Sequence, residues 1–133
     1  MNQNATPNKF LVISRGQWDD DAKEDDVQIA IDRFYDWYEA NLAAGRMLPG
    51  SRLKPEGKQV SKVRILDGPF TEAKELVGGY WFIVATSLDE AASLAAENPC
   101  LAFGLTLEVR PLHPARAEAT DLTNETPVTW RTK

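Results

Sequence analysis

The sequence predicts one α+β domain, a four-stranded antiparallel sheet with two helices packed on one face. Three observations carry this. The expected elements run β-α-β-β-α-β, and the two strands that this order places in the centre are apolar on both faces. The composition is also that of a globular chain with a single core. Its 133 residues are 43% hydrophobic, 26% charged and 9% aromatic, which suits one domain and departs from disordered usage.

Phe10-Leu-Val-Ile-Ser14 is a short β-branched and apolar run, read as the first strand. A loop over residues 15–26 follows, with Trp18 and six carboxylates. Residues 27–44 read as an amphipathic helix, with Val27, Ile31, Phe34, Tyr38 and Leu42 on one face. Asp25 or Asp26 is expected to cap it, and Gly45 sits where a left-handed C-cap is wanted. Residues 46–57 contain Pro49, Gly50, Pro55 and Gly57 and read as a loop. The second strand is placed at residues 60–66, where Val63 and Ile65 alternate with Lys62 and Arg64. A long connection over residues 67–78 leads to the third strand, residues 80–85. Ser87-Leu-Asp-Glu90 is a capping-box pattern opening a second helix that Pro99 stops, with Leu88, Ala91, Leu94 and Ala95 as its buried stripe. Residues 105–112 alternate as a fourth strand, and a polar tail begins at His113.

With right-handed crossovers this order gives the ferredoxin-like arrangement, strands one and three central. Two helices cover only one face, so the second apolar face needs a cover. A second copy of the sheet would supply it, giving a homodimeric α+β barrel. The alternative cover is the tail folding back. The expected division is a flexible arm over residues 1–8, the domain over 9–112 and the polar tail over 113–133.

Net charge is −5, and no basic cluster stands out. That argues against nucleic acid and against an anionic membrane, since both need concentrated Lys and Arg. Cys100 is the only cysteine, so neither an intrachain disulfide nor a cysteine metal cluster can form. No apolar signal core or membrane-length run is found, and a cytoplasmic location is expected. No glycine-rich nucleotide motif or metal-ligand spacing occurs, so no cofactor and no metal are expected. The acidic residues 19–26 lack the glycine and terminal Glu of a calcium loop and read as a solvated, helix-capping segment.

The densest motif is Asp67-Gly-Pro-Phe-Thr-Glu-Ala-Lys-Glu75, followed by Gly78-Gly-Tyr80. Here the chain resembles the YCII-related family, in particular its DGPF-domain branch. The likeness extends to Gly45-Arg-Met-Leu-Pro49, Ser87-Leu-Asp-Glu-Ala91 and Val109-Arg-Pro-Leu112. The resemblance implies a dimeric ferredoxin-like domain with a cleft near the dimer interface. Some members carry a His near the start of the first helix and an Asp at its end, a pair proposed as catalytic. Here those places hold an apolar residue near Ile31 and Ala43, so that dyad is not carried over.

Read from its own chemistry, Asp67 ends a strand at a tight Gly-Pro turn. It is either a general base in a partly desolvated cleft or an Asx-turn former bonded to its own backbone. Lys74 is a candidate anion binder, the bland reading being a solvated loop of weak ion pairs. Arg15 and Trp18 pair a bidentate donor with a stacking surface, although Trp18 could equally pack on the helix. His113 reads as exposed and unrelated to the site, and Cys100 as a small buried or half-buried hydrophobe. The functional expectation is a small-molecule-binding, enzyme-like protein. A small polar or anionic metabolite would lie among Arg15, Trp18, Asp67, Lys74 and Tyr80, with Asp67 handling any proton. The competing expectation is a non-catalytic dimeric accessory or regulatory module.

Overall fold

The computed structural model describes residues 6–69 and 76–131. Its elements are β1 (Asn8–Arg15), α1 (Glu24–Ala43), β2 (Met47–Arg52), β3 (Lys58–Val60), β4 (Ile65–Asp67), β5 (Val77–Ala85), α2 (Leu88–Ala95), β6 (Thr106–Pro111) and the short α3 (Val128–Arg131). The main sheet is antiparallel in the order β2-β5-β1-β6, the ferredoxin-like arrangement with β1 and β5 central.

The edge strand beside β5 is β2, not residues 60–66. Residues 47–52 were expected to be loop because of Pro49 and Gly50. An edge strand has only one ladder to make, and the register slips between Leu48 and Ser51. That irregularity is where a proline and a glycine are tolerated. The Gly50 N–H finds the Tyr38 hydroxyl as its acceptor, at 3.1 Å. Residues expected to form the second strand instead make the separate β3–β4 hairpin, with Val60, Val63 and Ile65 exposed.

The side chains of β1 and β5 alternate between two faces. Phe10, Val12, Trp81, Ile83 and Ala85 face the helices and form the core with Met47, Ala91 and Ala95. The registers Phe10↔Ile83 and Val12↔Trp81 place these residues across from one another. From α1, Phe34, Trp37, Tyr38 and Leu42 pack down on this layer. Phe34 stacks on Tyr38 with centroids 5.5 Å apart, and Trp81 meets both rings edge-on at 5.4 and 6.1 Å. Such pairs each contribute roughly 0.5–1.5 kcal/mol beyond their buried area.

The helix ends follow local chemistry. Lys23 is the N-cap of α1 and bonds no backbone amide through its side chain. Asp25 and Asp26 therefore act inside the first turn, where their charge favours the positive end of the helix dipole, rather than as caps. Ser87 caps α2, its hydroxyl accepting from the Glu90 N–H at 3.1 Å, while Glu90 returns to the Thr86 hydroxyl at 2.7 Å. Of the expected stripe of α2, Ala91 and Ala95 are buried and Leu94 packs on the core, but Leu88 is exposed. Leu88 stands at the N1 position, directly after the Ser87 cap. Asn98 caps a 3-10 turn, Pro99–Phe103, through its Oδ1, which accepts from the Cys100 N–H at 2.8 Å.

Candidate functional site

A pocket of about 840 Å³ opens between α1 and the sheet, at the end where β1 leaves and β5 enters. Ligand pockets run to about 300–1,000 Å³, so this one has room for a small organic molecule. Its floor is laid by Ser14 of β1, Gly78 and Gly79 of β5 and Arg52 of β2, and its roof by Ile31, Phe34, Tyr35 and Tyr38 of α1. Trp18 closes one side, and Asn98 with Cys100 closes another.

Each wall has a local cause. Arg52 stands opposite Gly79 in the β2–β5 register, so its side chain rises on the helix side of the sheet. A Cβ on Gly79 would sit 2.9 Å from the Ser51 carbonyl oxygen and 3.2 Å from the Arg52 Cα. Only glycine lets the two strands approach there. At Gly78 a Cβ would meet only the Ser14 hydroxyl, at 3.9 Å, and the floor is open because nothing fills it. The loop bearing Trp18 is tied down by the Asp19 N–H, which donates to the Phe103 carbonyl at 2.8 Å. It lies against Gly104, whose left-handed φ of 106° needs glycine.

The polar side chains on the wall are those of Ser14, Gln17, Asp20, Ser51, Arg52 and Asn98. Asn98 is 5% exposed. Its oxygen is taken by the Cys100 N–H, and among the described residues its amide nitrogen has no partner. Cys100 is buried, with Sγ 3.7 Å from the Ala30 carbonyl. Burial pushes its thiol pKa up, and the nearby Arg52 charge only partly opposes this. The thiol therefore stays protonated at neutral pH and serves as packing. The Trp81 indole N–H is sealed from solvent without a hydrogen-bond partner among the described residues.

Of the residues expected in the site, the structure brings Trp18 into the pocket wall. Tyr80 borders it as well, but its ring packs edge-on against Phe82, 6.2 Å away on the opposite face, so its backbone is what faces the pocket. Arg15 also belongs to that opposite face, where its Nε donates to Glu108 at 2.7 Å. Glu108 accepts from Arg110 too, at 3.0 Å. Asp67 lies on the exposed β3–β4 hairpin, ion-paired with Lys58 across the ladder, and is not among the pocket residues. Lys74 lies outside the described residues. His113 is exposed, with Nε2 3.6 Å from Asp121. Among the described residues no group of three or more His, Cys, Asp or Glu is placed to hold a metal ion, and no helix is long and apolar enough to cross a membrane.

Sequence reasoning missed Arg52, because it fell in a segment read as loop. It missed Asn98 because Asn-Pro was read only as the end of a helix. Ile31, near which the family resemblance would place a histidine in some members, does line the wall, while Ala43 is exposed at the far end of α1.

Fold and pocket together define a small ferredoxin-like domain with a cavity on the helix side of its sheet. The chain belongs to the YCII-related family, whose domain model matches residues 12–127. An uncharacterized protein of Rhizobium meliloti (strain 1021) is 32% identical over 106 residues, spanning 68% of this chain and 78% of that protein. Among solved structures, the chain is similar to the 5-chloro-2-hydroxyhydroquinone dehydrochlorinase of Burkholderia phenoliruptrix in complex with 2,5-dihydroxybenzoquinone. That match has 17% identity and a TM-score of 0.39, over 75% of this chain and 90% of the other.

Proposed function

We propose that the protein is a small-molecule-binding, enzyme-like member of the YCII-related family, and that its ligand occupies the pocket between α1 and the sheet. One observation carries the reading. A cavity of about 840 Å³ sets the rings of Trp18, Phe34, Tyr35, Tyr38 and Trp81 beside polar side chains that include Arg52 and Asn98. That is the usual make-up of a site that buries an organic molecule and orients it. A second reading, a non-catalytic accessory or regulatory module, is favoured by the position of Asp67. This carboxylate is paired with Lys58 on an exposed hairpin instead of standing in the pocket.

A thermal-shift screen of the full chain against small aromatic and polar metabolites tests the proposal, because a ligand that binds only the native state raises its melting temperature. The expected result is a set of stabilising compounds whose effect disappears in Gly78→Val. That substitution fills the floor beside Ser14 and sits in a backbone conformation open to any residue. Stabilisation that survives Gly78→Val would place the ligand elsewhere. Turnover of a stabilising compound separates the enzyme from the module.

A further inference from the structure

We infer that the pocket takes a planar aromatic carboxylate, its carboxylate held by the Arg52 guanidinium and the Asn98 amide nitrogen and its ring lying among the rings of Trp18, Phe34 and Tyr35. This assignment rests on the pocket reading above and names the chemical class of its ligand.

Three observations converge. The first is the state of Arg52. The chain holds 20 acidic residues against 15 Lys and Arg, yet among the described residues the Arg52 guanidinium has no ion pair or hydrogen bond. The one carboxylate on the pocket wall, Asp20, lies on an exposed loop and does not pair with it. A guanidinium offers two parallel N–H donors that match a carboxylate and suit a ring-bearing acid better than a compact ammonium would.

The second is Asn98. It is buried, and the Cys100 N–H takes its oxygen, which fixes the amide so that the nitrogen is the free end. Unlike the Trp81 indole N–H, this nitrogen is not among the sealed atoms without a partner, so a ligand can reach it. The sliver of Asn98 that stays accessible faces the pocket it lines. Among the described residues, Arg52 and Asn98 are thus both donors without an acceptor. Both line the same pocket, and the charge of Arg52 is felt at Cys100, two residues beyond Asn98.

The third is the shape of the remaining wall. Phe34 and Tyr35 meet edge-on with centroids 5.2 Å apart, and Trp18 faces them from the loop. Rings at these positions offer faces and edges to another flat ring. The glycine floor keeps the space shallow rather than filled. Donors at one end and aromatic surface at the other describe a molecule with the reverse polarity, an aryl acid.

Isothermal titration calorimetry on the full chain tests this with 1-naphthoate, its neutral counterpart 1-naphthamide, and inorganic phosphate. The expected result is a saturable single site for naphthoate, with naphthamide weaker by about tenfold or more, the difference one charge-assisted pair makes. Arg52→Gln, at an exposed position, should bring naphthoate down to the naphthamide level without lowering the melting temperature. Asn98→Asp keeps the oxygen that accepts from Cys100 but replaces the free donor with an acceptor, and should weaken naphthoate further. Should that variant unfold, the Arg52 pair of titrations still decides. Equal affinity for naphthoate and naphthamide, both lost in Gly78→Val, would overturn the anion assignment while leaving the pocket reading standing. Phosphate binding as tightly as naphthoate would overturn the aromatic half. No binding of either aromatic probe would sink both readings.

Discussion

A Cβ on Gly50 would lie 1.9 Å from the Tyr80 carbonyl oxygen, deep inside any allowed contact. The glycine is required by the approach of two backbones at the β2 irregularity, not by an unusual φ. Gly50→Ala must push the edge strand away and should destabilise by about 2–3 kcal/mol, read as a lower urea midpoint at unchanged slope. An unshifted midpoint would mean that β2 is not seated as described. Asp67 is the opposite case. Its side chain is 78% exposed and paired with Lys58, and exposed pairs contribute roughly 0–1 kcal/mol. Asp67→Asn should leave both the melting temperature and the affinity of the pocket for a stabilising ligand near parental values. A large loss of binding or turnover would restore Asp67 to the site and show that the hairpin reaches it.

Elements show what local patterns could and could not convey. The central strands were legible because residues 10–14 and 80–85 are short, nearly continuous apolar runs, the pattern of a central strand. The cap of α2 was legible because Ser87 and Glu90 act within one turn. The β2 edge was not. Pro49 and Gly50 are breakers by local rule, and what makes them acceptable is the Tyr38 hydroxyl reaching over from α1. The same distance hid Arg52 and Asn98, whose meeting at one pocket depends on a register slip and on a 3-10 turn. The bond from Tyr38 is thus an element-scale device that ties the helix roof of the pocket to its edge strand. Tyr38→Phe should cost about 1 kcal/mol by leaving the Gly50 amide unpaired, measured by urea unfolding. A cost indistinguishable from zero would mean that water replaces the hydroxyl.

At the scale of the whole molecule, the second face of the sheet is apolar and calls for a cover. Leu11, Ile13, Phe82 and Val84 are half-buried there, and Tyr80 is 37% exposed. Beside them on β6 the Arg15–Glu108–Arg110 group holds the Glu108 carboxyl below its usual range, chiefly through the hydrogen bonds from Arg110 and then Arg15. A carboxylate whose folded pKa is depressed contributes stability above its unfolded value, near about 4.3, and loses it as pH falls through the folded value. Glu108→Gln should therefore be somewhat less stable than the parent at pH 7 and converge on it as pH falls below about 4.3, which flattens the acid limb of its stability curve. An acid limb that is identical in the two proteins would mean that other carboxylates carry it.

The C-terminal tail is a poor cover for this face, because its own apolar side chains, Leu112, Leu122, Val128 and Trp130, are exposed. It bonds within itself through Arg131, which donates to the carbonyls of Thr126 and Thr123 at 3.1 and 2.6 Å, and meets the sheet through Asn124, whose oxygen is placed to accept from Arg110 at 2.8 Å. A second copy of the sheet is the better candidate, since an apolar face of central strands matches its own two-fold image. A stable association of this kind buries about 800 Å² on each partner, an area within reach of a four-stranded sheet. Light scattering at micromolar concentration should report about twice 14.8 kDa. Phe82→Arg should then give a folded monomer, because Phe82 points away from the core and a charge at the centre of the apolar face costs more than two copies recover. Retention of the helical circular dichroism signal would show that the fold survives the change. Parental protein that runs as a clean monomer would sink the dimer, and it would leave the sheet face to the tail.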